Sequence, residues 1–133
     1  METIELTSKN YHSFLPLEIV AFSYASAGAM GDAGGVDIVT TDGNNYYFNH
    51  AWGDLGEEQM GEILPITMPV DIDRLPDEWY HIYLGCGNDL FVKQEYVEPL
   101  RLAWNEYEQT PQGHHGSFYN AWQKLLTNLL RNT

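Results

Sequence analysis

The side chains able to do chemistry in this chain are five histidines, one cysteine and nineteen carboxylates. His12, His50, His81, His114 and His115 include no His pair at i, i+4, and none stands beside a Cys-x-x-Cys, so the spacing that builds a zinc site is missing. His114 and His115 sit next to glycines, in a loop where adjacent side chains diverge. Only the fold could bring His50 to Asp54, or His81 to Asp71 and Asp73, and the sequence predicts no metal and no cofactor. Cys86, between Gly85 and Gly87, is the only thiol. A nucleophilic thiolate needs a base and an electropositive setting, whereas acidic surroundings oppose it, so Cys86 reads as structurally inert even with His81 on the preceding strand. Glu57-Glu58 and the pair Asp71 and Asp73 have the composition for acid-base work, but carboxylates in loops are ordinarily solvated surface. No serine lies in a Gly-x-Ser-x-Gly context, and no catalytic residue is assigned.

Gly28, Gly31, Gly34 and Gly35 invite comparison with phosphate-binding loops, in which backbone N–H groups and a Lys or a helix N-terminus hold the anion. Their spacing fits neither such pattern, and Asp32 among them would repel phosphate. The loop reads as a connection between strands whose small residues let another backbone approach.

Charge narrows the partners further. Nineteen Asp and Glu against six Lys and Arg give a formal net charge of −13, and no Lys or Arg occurs between Lys9 and Arg74. Nucleic acid and anionic membrane surfaces are bound through clustered cations, so neither is an expected partner; a basic protein is. A lone cysteine, the absence of a secretory pattern at the start, and the lack of a long apolar run together predict a soluble, cytoplasmic protein.

The elements that must position these residues follow from periodicity. Leu17 to Ala25 is apolar at both parities and predicts a central strand packed on both faces. Val36–Thr41 and Asn45–His50 flank Asp42-Gly43-Asn44, a hairpin signal because Asp and Gly tolerate positive φ. Tyr11, Phe14 and Leu15 suit a short helix ending before Pro16. Residues 55 to 64 read as a loop with a short helix, weakened by two internal glycines. Pro65 to Pro76 reads as an extended surface connection. Trp79–Leu84 and Leu90–Val92 predict strands, Glu98–Glu108 a helix with Pro99 in its first turn, and Phe118, Trp122, Leu125, Leu126, Leu129 and Leu130 the apolar stripe of a final helix capped by Ser117. Strands early and helices late predict an α+β fold: a single domain, residues 1–133, with a mainly antiparallel sheet of four to five strands packed on one face by two C-terminal helices.

Strand parity yields one constellation. Tyr80, Ile82 and Leu84 share one face of their strand; Trp79, His81 and Tyr83 share the other. If the aliphatic face packs under the helices, the other, with Tyr47, offers solvent an aromatic-polar surface of the kind enriched at interfaces, rimmed by Asp37, Asp42, Asp71, Asp73 and Asp77. The alternative is that the N-terminal helix or the Pro65 to Pro76 segment covers that face. The function expected from these features is an acidic protein-binding protein, concretely a bacterial immunity protein or inhibitor neutralising a basic toxin or nuclease. The competing expectation is a small-molecule-binding protein or enzyme with a pocket near the Gly28–Gly35 loop and the Gly85–Asn88 turn, using His50, Asp54, His81 and Cys86. A homo-oligomer assembled through the aromatic face is a third.

Overall fold

The computed structural model describes residues 3–25, 34–50, 53–67, 71–85, 87–111 and 118–132. The run apolar at both parities becomes β2, Ile19–Ala25, whose residues are buried from Ile19 through Ser23. Around it stand β1 (Thr3–Glu5), β3 (Gly35–Thr40), β4 (Asn45–Asn49), β5 (Trp79–Gly85) and β6 (Asn88–Lys93). They form one six-stranded sheet in the order β1-β4-β3-β2-β6-β5. Five strands pair antiparallel along β4-β3-β2-β6-β5, and β1 pairs parallel to β4. The sheet is therefore mixed and six-stranded rather than antiparallel with four to five strands, because a three-residue strand unseen in the sequence pattern lies against the hairpin.

Both faces are covered. On one side α3 (Gln94–Glu108) and α4 (Phe118–Arg131) pack Val97, Leu100, Trp122 and Leu126 onto Val20, Ala21, Val39, Leu90 and Val92. On the other, α1 (Tyr11–Phe14), α2 (Glu57–Ile63) and the turn after it bring Tyr11, Met60, Ile63, Leu64 and Ile66 onto Phe22, Val36, Ile38, Tyr46, Phe48, Trp79 and Phe91. A register shift between Ile19 and Ala21 places Ile19 in the second cluster while Val20 and Ala21 join the first. Tyr11 Oη donates to Glu62 Oε2 at 2.6 Å, which with burial pushes the phenol up to about 12 and ties α1 to α2. Thr127, fully buried on α4, has its hydroxyl 3.1 Å from Asn45 Oδ1 on β4, a polar peg between helix and sheet.

Three expectations shift by identifiable causes. The helix expected at Glu98 begins at Gln94, because β6 runs straight into it and burial of Val97 and Leu100 holds the added turn; Pro99 consequently sits in the second turn, on the exposed side. Residues 57–63 are a definite helix despite Gly61, whose apolar side is held by the core. The Pro65 to Pro76 connection, expected to be extended, carries a 3-10 turn at Ile72–Arg74. Ser117, Cys86, His114, His115 and most of the glycine loop lie outside the described residues.

The hairpin turn shows how local chemistry fixes the frame. Gly43 has φ +80°, and a Cβ there would meet Arg131 Cγ at 2.9 Å, so glycine both makes the turn and admits the end of α4. The Thr40 hydroxyl, joined by the backbone and side-chain N–H groups of Asn44, donates to Asp42 and holds its carboxyl below the usual carboxylate range. A depressed folded pKa contributes stability that is present above the unfolded pKa of about 3.9 and lost as pH falls through the folded value. Asp42→Asn should therefore cost stability at neutral pH, and that difference should shrink in urea unfolding as pH falls below about 4. A difference that stays constant down to acid pH would show the turn's carboxylate to be irrelevant.

Candidate functional site

The strand that ends the sheet brings the candidate residues to one edge. β5 pairs with β6 through Trp79–Lys93, Tyr80–Val92, His81–Phe91, Ile82–Leu90 and Tyr83–Asp89, which sends Trp79, His81 and Tyr83 to the face of α1 and α2 and Ile82 and Leu84 to the face of α3 and α4. Their fates differ along the strand. Trp79, 3% exposed, packs edge-on against Phe22 at 5.8 Å. His81 is half-buried, tilted over Phe91, with Nε2 2.7 Å from Asp89 Oδ1. Tyr83 is 64% exposed. The alternative of a covered face therefore holds for Trp79, which lies in the cluster formed with α1, α2, Ile66 and Leu75, and Trp79 is not available to a partner.

The acidic rim expected around these aromatics is dispersed. Tyr47 and Asp37 are register partners on β4 and β3, and alternation puts them on the face of α3 and α4, opposite to Val36, Ile38, Tyr46 and Phe48. Tyr47 is also four strands from β5, roughly 19 Å across the sheet. Asp42 is held in the hairpin turn. Asp71 caps the 3-10 turn by accepting from the Asp73 N–H at 3.2 Å and lies 3.6 Å from Arg74, and both carboxylates are exposed in the segment that feeds β5. Of the expected set, Asp71, Asp73, His81 and Tyr83 belong to one stretch of chain around β5; Asp37, Asp42 and Tyr47 do not.

Residues that parity alone did not reveal complete the picture. Tyr80, assigned to the covered face, is 39% exposed, and Ile72 is 48% exposed. Asp89, opposite Tyr83 on one side and Tyr24 on the other, lies in a row crossing β5, β6 and β2. Tyr24 stacks on His50 with ring centroids 4.7 Å apart, and burial followed by the charge of Glu57 pushes its phenol upward, keeping it neutral. His50 Nε2 lies 2.8 Å from the Ala25 carbonyl, an oxygen that can only accept, so this nitrogen carries the proton. Gly34, at φ +77°, would place a Cβ 2.7 Å from the same nitrogen; only glycine fits beneath this ring. Asp54, a proposed companion of His50, is instead held by the Ser8 hydroxyl and N–H, which lower its pKa.

Chemically, the row orients side chains. Among the described residues no Ser, Thr or Cys side chain is hydrogen-bonded to His81, no group of three His, Cys, Asp or Glu is placed to hold a metal ion, and no helix is long and apolar enough to cross a membrane. An apolar cavity of about 240 Å³ lies on the helix face of the same edge, lined by Ile82, Val97, Leu100, Arg101, Trp104 and Phe118. No protein family, curated protein or solved structure matches the chain.

The division of β5 into anchored and open residues is measurable by chemical denaturation. Trp79→Ala should cost about 3–5 kcal/mol, as for other buried aromatics, and Tyr83→Ala within about 0.5 kcal/mol of zero. Equal losses would place Tyr83 in the core.

Proposed function

We propose that this chain is an acidic protein-binding protein that neutralises a basic partner, in the manner of a bacterial immunity protein acting on a toxin or nuclease. The observation that carries the reading is the edge around β5. Three large apolar or aromatic side chains, Ile72, Tyr80 and Tyr83, stand in solvent there, on or just before a strand preceded by Asp71, Asp73, Asp77 and Glu78 and by Arg74 alone among cations in that stretch. Tyrosines bury much area at low entropic cost and anchor interfaces, whereas exposed carboxylates contribute mainly to association rate. A net charge of −13 supports a cationic protein as the partner over nucleic acid or an anionic lipid surface.

A second reading, a small-molecule site at the end of the sheet, draws on one observation: Tyr24, His50, His81 and Asp89 gather where the Gly28–Gly35 and Gly85–Asn88 connections emerge. Its polar atoms are, however, largely engaged with one another and with backbone.

Isolation of the chain with its bound proteins from its own cells, followed by an activity assay of each basic protein recovered, tests the first reading. It expects a basic partner whose toxic or nuclease activity the chain suppresses. It also expects association to slow roughly tenfold when Asp71, Asp73, Asp77 and Glu78 become amides, with dissociation little changed. Recovery of no basic partner, or of one whose activity is untouched, would overturn it; a rise in melting temperature with a metabolite alone would favour the second.

A further inference from the structure

Resting on that reading, we propose that the partner docks by strand addition: an extended basic segment pairs with the outer edge of β5 and places one apolar side chain in the cavity beside Ile82. The backbone pattern defines where this is possible. Gln94 donates its N–H to the Glu78 carbonyl at 2.9 Å, so Trp79–Lys93 is a wide, non-hydrogen-bonded pair, and the antiparallel alternation turns the backbone groups of Trp79, His81 and Tyr83 away from β6. Those of Trp79 are already engaged: its N–H donates to the Pro76 carbonyl at 2.9 Å, and its carbonyl accepts from Gln94 Nε2 at 3.4 Å. Among the described residues, no hydrogen bond takes the outward N–H and C=O groups of His81 and Tyr83, which leaves two donors and two acceptors facing out. Among the described residues β5 pairs with β6 alone.

Sheet edges are ordinarily blunted by shortness, Lys, Pro or an early bulge. The opposite edge, β1, is three residues long. β5 has seven residues, Trp79 to Gly85, none of them Lys, Arg or Pro, and its register shift comes only after Tyr83. Strand addition takes affinity from main-chain hydrogen bonds and specificity from pockets for alternate side chains. The cavity of about 240 Å³ supplies such a pocket, since Ile82 on β5 lines it with Val97, Leu100 and Trp104 of α3 and Phe118 of α4. A side chain from a neighbouring strand on that face enters at the height of Ile82. Asp77 and Glu78 at the start of β5, and the net charge of −13, select Lys and Arg on the incoming segment. The same charge sets two copies of this chain against each other, which disfavours self-pairing through this edge.

Synthetic peptides of about nine residues, the length of a long strand, alternating Lys with Val around a central Phe, provide the probe; binding is followed by fluorescence titration and amide hydrogen exchange of the full chain. The expected result is saturable binding that slows exchange at His81 and Tyr83, weakens roughly tenfold when the central Phe becomes Asp, and is abolished by backbone N-methylation in one alternate register but not the other. Strand addition is overturned if no peptide binds, if both methylated registers bind alike, or if binding leaves the His81 and Tyr83 amides unprotected; in this last case a salt-sensitive preference for the Lys peptides still supports a basic partner. If peptides with Glu in place of Lys bind equally well and protect the same amides, strand addition stands and the basic partner falls. Protection of those amides by self-association without peptide assigns the edge to a second copy and overturns the proposal.

Discussion

A strand apolar on both faces cannot lie at a surface, and β2 imposes that condition on everything around it. Phe22 must be covered from one side and Val20 and Ala21 from the other, all three without exposure. Burying a Phe or Val side chain is worth about 1.5–3 kcal/mol, so neither layer is dispensable. The helix pair α3 and α4 supplies one cover and the shorter α1, α2 and the turn following α2 the other. Because two layers are committed to the centre of the sheet, cover thins toward its ends, and β5 receives the remainder: full burial at Trp79, half-burial at His81, exposure at Tyr83. The candidate site is thus a consequence of where the layers run out.

That gradient bears on both proposed readings. The end of the sheet holds an imidazole–carboxylate contact and a stacked Tyr–His pair, the raw material of a catalytic or ligand site. Its hydrogen bonds close on themselves, however: His81 with Asp89, and His50 with the Ala25 carbonyl. Such closed contacts stabilise the strand ends. The exposed groups are the rings of Tyr80 and Tyr83 and the carboxylates leading into β5, and with the outward backbone of His81 and Tyr83 they are the groups on which the proposed protein partner would draw.

The sequence made the centre legible and the edges not. β2, the β3–β4 hairpin and α4 carry strong local patterns: apolar residues at both parities, Asp-Gly at the turn, a stripe from Phe118 to Leu130. β1 carries none; its three residues hold only Ile4 against the core and are positioned by parallel pairing with β4, more than forty residues away in the register Ile4–Tyr46. α2 was obscured by Gly61, whose local cost is outweighed by Met60 and Ile63 in the core. Alternation correctly sorted Trp79, His81 and Tyr83 onto one face of β5, but parity says nothing of which strands are neighbours. Tyr47 and Asp37 therefore lie on a face other than the one expected, and Tyr80 is exposed on the face expected to be covered, because pairing and strand order are long-range properties.

Native-state amide exchange of the uncomplexed chain tests the central claim, that a doubly covered β2 leaves β5 with an open outer edge. The account predicts the slowest exchange, limited by global unfolding, at Phe22 and Leu90, with the His81 and Tyr83 amides exchanging orders of magnitude faster while the Tyr80 and Ile82 amides, which face β6, stay protected. Equal, global protection at His81 and Tyr83 in the monomer would mean that the edge is already occupied, and would contradict the account.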